Sequence, residues 1–301
     1  MKTTLILGLV SLLALPLAAR EFRDFTDVKG RTINAELLDL RDGKVKIRTQ
    51  GQVFDIPVET LSEADQAWLT EWDAKRKGNE DDLYFSEVIF EDDFSGEGFG
   101  ERWGHYKSES VIRDGVLVGK TIDIDDHAGV DNIRFEGRQD MEVSVKFNFA
   151  GEEAERFNVW FDDKDYQGSH AGHITSVTIT PSMVSITDAK TGHMENSIYE
   201  KKKSPAGLDE ETEELLKTKT ARFDVELDRE EWHEMRIRTK GPLVTVEIDG
   251  DEVGEFESEG NAHPTKSLVS LTTNINDVHY DDFSIKAAPP GSSTATEEGA
   301  E

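Results

Sequence analysis

The chain contains no cysteine, so it has neither disulfide bridges nor the lipid-accepting cysteine that follows the leader of a lipoprotein. Stability must come from buried apolar surface, which a domain of about 200 residues supplies by burying roughly 70% of its unfolded area. Positive charge is also scarce: 34 Lys and Arg face 63 Asp and Glu, a formal charge of −29. Such a field repels nucleic-acid phosphates and anionic membrane surfaces, and argues against nucleic acid as a partner. It fits solubility, or affinity for calcium or another divalent cation. Long hydrophobic runs are absent but for one, and there is no internal repeat.

The exception is Leu5 to Leu17, broken by Gly8, Ser11 and Pro16. Lys2 precedes it, Ala18 and Ala19 follow, and it is shorter than the ~20 residues of a membrane span. That pattern predicts a signal peptide over 1–19, a secreted or periplasmic protein, and no transmembrane anchor in the mature chain.

From residue 20 the apolar residues alternate in short bursts: Ile33, Ala35 and Leu37, then Val45 and Ile47, then Val53, Ile56 and Val58. Period two means half-buried strands, and Asp42-Gly43 marks a tight hairpin. Ser62 caps a helix, with Asp65 in place of the capping-box Glu, followed by Ala64, Ala67, Trp68 and Trp72 at helical spacing. Arg23 to Asp27, Gly30, Asp42 to Val45, Ile56-Pro57 and Leu61-Ser62 with Asp65 resemble the Sla-homology (SHD-type) domain of exported planctomycete and verrucomicrobial proteins. The resemblance implies an SH3-like barrel over 20–73 that binds a protein partner. Residues 74–83 are charged, without an apolar period, and read as a linker.

Residues 84–287 hold a dozen or more short alternating segments, from Val88-Phe90 to Tyr280–Ile285, punctuated by Asp114-Gly115 and Asp249-Gly250. This predicts a large two-sheet β-sandwich or jelly roll, an all-β fold after the small barrel. A polar insertion at 200–221 interrupts it, with a short helix over Asp209–Lys219 in which Glu213 and Lys217 are spaced i,i+4. Residues 288–301 read as a disordered acidic tail.

Three motifs bear on chemistry. Glu247, Asp249 and Glu252 match the E-x-D-x-x-E spacing of retaining glucanases, whose carboxylates must lie about 5–5.5 Å apart. Asp249-Gly250 is a hairpin signal, however, which throws Glu252 onto the next strand. His170 and His173 form H-x-x-H, with Gly172 favouring a loop entering a strand. Asp162, Asp163, Asp165, Asp188 and His193 add oxygen and nitrogen donors that would hold a metal if neighbouring strands bring them together. His263 and Lys266 sit in a Pro/Gly-rich loop where a rigid scaffold can present polar groups. Trp160, Tyr166, Trp103 and Trp232 are candidates to stack on sugar rings, although an alternating strand beside Trp232 favours core for it.

Trp160 to Asp163, His170 to His173, Asp188, Trp232-His233, Asp249-Gly250 and Ser258 to Lys266 resemble concanavalin-like domains grouped with the 3-keto-disaccharide hydrolases, sometimes labelled family 16 glycosidase-like. The resemblance implies a jelly roll with a carbohydrate ligand. On a 3-keto-glycoside the chemistry is removal of a proton beside a ketone and loss of the glycosidic oxygen. His170 or His173 would be the base, and Lys266, or a metal held by groups such as Asp188 and His193, would stabilise the enolate. Trp160, Asp162, Asp163 and His263 would contact the sugar. The alternative is a non-catalytic cell-envelope or structural protein that recruits a partner through the N-terminal barrel.

Overall fold

The computed structural model describes residues 22–292 apart from 42, 50, 124, 152–153, 274–275 and 291. The expected signal peptide and most of the acidic tail lie outside the described residues, as does Asp42 of the first hairpin. The chain divides into two compact units, Met1–Asp81 and Asp82–Glu301.

In the first unit, strands Phe22–Thr26, Thr32–Arg41, Lys44–Thr49 and Gln52–Pro57 form a four-stranded antiparallel sheet in sequence order. Alternation places Phe25, Ala35, Leu37, Val45 and Ile47 in its core with Leu61 and Leu69. Ser62 caps the helix Glu63–Tyr84: the Asp65 amide donates to Ser62 Oγ at 3.2 Å and Ser62 Oγ donates to Asp65 Oδ2 at 2.9 Å. Asp65 also accepts from Arg23 at 2.8 Å, and the Arg23 guanidinium lies 4.1 Å over Trp68.

Residues 74–83, expected as a linker, continue that helix. Their Lys, Arg, Ala and Glu content favours helix without an apolar stripe. Arg76 pairs with Asp73 and Glu80, and Lys77 with Asp73, at the i,i+3 and i,i+4 spacings that support one.

The second unit is a sandwich of two antiparallel sheets. One has eight strands: Asp251–Glu257, Leu243–Ile248, His233–Lys240, Met141–Phe149, Asn276–Ala287, Val116–Lys120 and Val111–Arg113 in that order, with Glu87–Asp92 also on Asn276–Ala287. The other has seven: Thr220–Asp224, Met183–Asp188, His173–Thr180, Phe157–Asp162, Lys266–Thr273, Gly129–Arg138 and Trp103–Tyr106. Val143, Val145 and Phe147 from the first meet Val159, Phe161, Val177, Val269 and Leu271 from the second in one core. Burying an aliphatic or aromatic side chain in this way stabilises by about 1.5–3 kcal/mol. The all-β sandwich expected from the alternation is present.

Asp249 and Gly250 both have positive φ (56° and 86°) and turn the chain so that Glu247 opposes Glu252 on the neighbouring strand. Glu247 is an ion-pair partner of Arg238. The three carboxylates therefore do not share a strand, as the hairpin reading required. The polar insertion folds as two helices, Asn196–Lys203 and Glu210–Thr218, the second capped by Asp209 accepting from Thr212 N at 2.8 Å.

Candidate functional site

Period two gives the seven-stranded sheet a second face. While Ile133, Val159, Phe161, Val269 and Leu271 point into the core, the residues between them point the other way and line a cavity of about 610 Å³. Strand register arranges them in rows. Arg134 lies beside Leu268, then Asp162, then His173. The next row is Asn132, Ser270 and Trp160, and the third is Val130, Thr272 and Asn158. Tyr106, beside Val130, and His127, 5.1 Å from the Tyr106 ring, close that end.

At the other end His173 Nδ1 lies 2.7 Å from Asp162 Oδ1, and its ring centroid is 4.3 Å from that of Trp160. Asp162 is only 2% exposed. A buried carboxylate accepting from Nδ1–H fixes the tautomer and leaves Nε2 as the basic nitrogen. No described residue hydrogen-bonds to that Nε2. Lys164 Nζ lies 3.7 Å from Asp162 Oδ2 and donates to Ala171 O at 3.1 Å.

The turn His170–Gly172 explains the histidine spacing. Ala171 and Gly172 have φ of 55° and 75°, and Gly172 O accepts from Asp163 N at 2.9 Å. A Cβ on Gly172 would stand 2.0 Å from Asp163 O. The reversal puts both imidazoles on the cavity, with ring centroids 6.3 Å apart. His170 stacks on Tyr199 of the Asn196–Lys203 helix at 3.8 Å, and its backbone amide donates to Met194 O. Burial, then the positive charge of His173 and Lys203, lowers the His170 pKa.

Trp160, Asp162, His170 and His173 are thus gathered at one site. The other sequence candidates are placed elsewhere. Lys266 is fully buried, donates to Gln139 O at 2.6 Å and does not reach the cavity; burial pushes its pKa down to about 8. It opens the strand Lys266–Thr273 beside a register irregularity between Lys266 and Leu268, which the loop reading of His263 to Lys266 did not anticipate. His263 Nε2 lies 2.9 Å from Asp163 Oδ2 in a buried pair below the turn, and His263 Nδ1 has no partner. Burial lowers the His263 pKa despite Asp163, consistent with a neutral ring donating through Nε2.

Asp188 is a structural hub. Its oxygens accept from Thr191 N at 3.0 Å, Ser258 Oγ at 2.5 Å and Gly260 N at 3.1 Å, with Lys219 at 3.7 Å. His193 lies 6.2 Å from the Trp160 ring, and burial pushes its pKa down to about 4. Among the described residues no three His, Cys, Asp or Glu side chains are grouped to hold a metal ion; Asp162, Asp163 and Asp188 are each engaged in hydrogen bonds instead. Trp103 is core and donates from Nε1 to Asp92, Tyr166 packs on His263, and Trp232, expected in the core, is 44% exposed.

Arg134, Lys164, Asn132, Asn158 and Tyr106 escaped the sequence reading. Their signal was the polar half of each alternation, but it becomes a site only once the order of distant strands is known.

A model of the 3-keto-alpha-glucoside-1,2-lyase-like domain matches residues 68–286. The chain belongs to that family. No curated protein matches it. Among solved structures it is similar to a sialidase (TM-score 0.46, 10% identity, 67% of this chain and 18% of the sialidase). It is also similar to the carbohydrate-binding module CBM66 from Bacillus subtilis (0.43, 8%, 62% and 96%) and to an endo-beta-1,3-glucanase from Pyrococcus furiosus (0.44, 11%, 68% and 95%). The family match includes every residue of the cavity. Among the described residues no helix is long and apolar enough to cross a membrane.

Proposed function

We propose that the sandwich binds a saccharide in this cavity and cleaves 3-keto-glycosides there by elimination. The observation that carries this reading is the buried Asp162 paired with His173 beside Trp160 on the cavity wall. An aromatic ring flanked by hydrogen-bonding side chains suits a sugar, which has an apolar face and a polar rim.

A ketone at C3 acidifies the hydrogen at C2. His173 Nε2 takes that proton, and the electron pair moves onto the C3 oxygen as an enolate facing the Lys164 ammonium. As the carbonyl re-forms, the C1–C2 double bond closes and the C1–O bond breaks. The departing oxygen receives a proton from the His173 imidazolium. Later addition of water to the product makes the net change a hydrolysis. Asp162 holds the ring in register and offsets the imidazolium charge.

The first test is turnover of a 3-keto-disaccharide by the whole protein, followed through the absorbance of the unsaturated product. His173→Asn should reduce kcat/KM by about 10²–10⁴-fold, the usual contribution of a positioned base. No product from the wild-type protein, or equal rates in the variant, would remove the assignment. Binding without turnover in both would leave a carbohydrate-binding module.

The proposal extends to the ends of the chain. Residues 1–19 act as a leader for a secreted or periplasmic destination, checked by the N-terminal residue of the exported protein. The N-terminal unit is an SHD-type SH3-like module for a protein partner, a role supported by its meander of short strands and by exposed Phe22, Val53 and Phe54.

A further inference from the structure

The protein carries a formal charge of −29, yet the permanently charged residues lining the cavity are Arg134, Lys164 and Asp162. Two are cations. The one carboxylate is almost wholly buried and already engaged by His173. The excess of acid on the whole chain is thus reversed where the ligand would lie.

Arg134 stands out among these groups. It is exposed on the cavity wall and makes no ion pair or hydrogen bond with any described residue. In its row Leu268 separates it from Asp162, so two strand spacings of about 4.8 Å intervene. Glu136, two residues on, lies 3.9 Å from Arg138 instead. On the far side of the same end, Lys203 Nζ is 4.0 Å over the Tyr199 ring that stacks on His170. Glu200 on that helix acts on His170 in the opposite sense.

At the opposite end of the cavity Lys107 pairs with Asp126. Asp123, Asp125 and Asp126 are exposed in the segment leading to His127. Rows at Arg134 and Val130 are four residues apart, about 13 Å along a strand. Arg134 therefore stands at the His173 end of the cavity, that distance from the Tyr106 and His127 end.

We propose that the natural ligand is an acidic saccharide whose oxyanion, a uronate carboxylate or a sulfate ester, lies against the guanidinium of Arg134. A guanidinium presents two parallel donors that match such groups. A neutral sugar offers that fork hydroxyl oxygens but no opposite charge. The inference rests on the cavity being the saccharide site, and it concerns the substrate class rather than the bond broken.

The experiment is titration calorimetry of the whole protein with three matched glucosides: unmodified, oxidised at C6 to the carboxylate, and 6-O-sulfated. Each is also supplied as its 3-ketone for turnover. At low ionic strength at least one anionic form should bind about tenfold or more tightly than the neutral one, the increment expected of a charge-assisted pair. The two anionic arms separate carboxylate from sulfate. Arg134→Gln should bring the ratio close to one, and Arg134→Lys should restore part of it. A shared thermal midpoint for all three proteins verifies folding. Equal or better binding of the neutral glucoside, or a ratio unchanged in Arg134→Gln, overturns the inference. If the neutral 3-ketone alone is turned over, the elimination reading stands and this one falls. If an acidic glucoside binds without turnover, the reverse holds, and no binding in any arm removes both.

Discussion

At the residue scale, two buried side chains of opposite charge have different assignments. Asp162 is buried against a histidine with a free Nε2 at the cavity, whereas Lys266 is buried with its amine on a backbone carbonyl. Asp162→Asn should lower kcat by about tenfold or more with little change in KM, because it disturbs the tautomer without altering the sugar-binding wall. Steady-state kinetics on a 3-keto-glycoside check this. Lys266→Met should leave turnover within about twofold. Its effect belongs to stability. Burial holds the folded Lys266 pKa down at about 8, against the ordinary lysine value of 10.5, so between these values the unfolded chain holds the extra proton. Stability contributed at this position therefore rises with pH from about 8 to 10.5, by at most about 3 kcal/mol. Denaturant titrations across that range should show the rise in the wild type and a flatter profile in the variant. A large loss of turnover in Lys266→Met would return the amine to the catalytic site.

At the scale of elements, the His170–Gly172 turn is the piece on which the site depends. Gly172→Ala places a side chain in the left-handed region and against Asp163 O. Such strain costs about 1–3 kcal/mol and displaces His173 from Asp162. The expected result is a lower thermal midpoint with a fall in kcat/KM larger than the fraction unfolded accounts for; a lower midpoint with unchanged kinetics would separate the turn from the site. This element also marks what the sequence disclosed. Period-two alternation identified the strands, Asp249-Gly250 identified its hairpin and excluded the glucanase spacing, and Gly172 identified the loop between the histidines, since each depends on neighbours in the chain. Arg134 and Lys266 show the limit. Arg134 joins the site through Leu268, more than a hundred residues away, and Lys266 leaves it at a register irregularity between Lys266 and Leu268, with its amine on Gln139 O. Neither pairing is written in local spacing. The helix through residues 74–83 was hidden for another reason: ion pairs can hold a helix that has no apolar face to betray it.

At the scale of the whole molecule, net charge opposes folding. A chain of charge −29 repels itself in the compact state more than in the expanded one. Screening lengths fall from about 30 Å at 0.01 M salt to about 8 Å at 0.15 M, so repulsion across a sheet is largely removed over that interval. The thermal midpoint should therefore rise as monovalent salt is added through this range. Potassium and sodium chloride should act alike, because screening depends on ionic strength. Binding of an acidic saccharide at Arg134 should weaken over the same interval, since that attraction is screened too. These opposite slopes distinguish field effects from a general action of salt on the fold. A midpoint that is flat or falls would mean the local ion pairs, such as Arg23 with Asp65 and Arg238 with Glu142, outweigh the surplus charge.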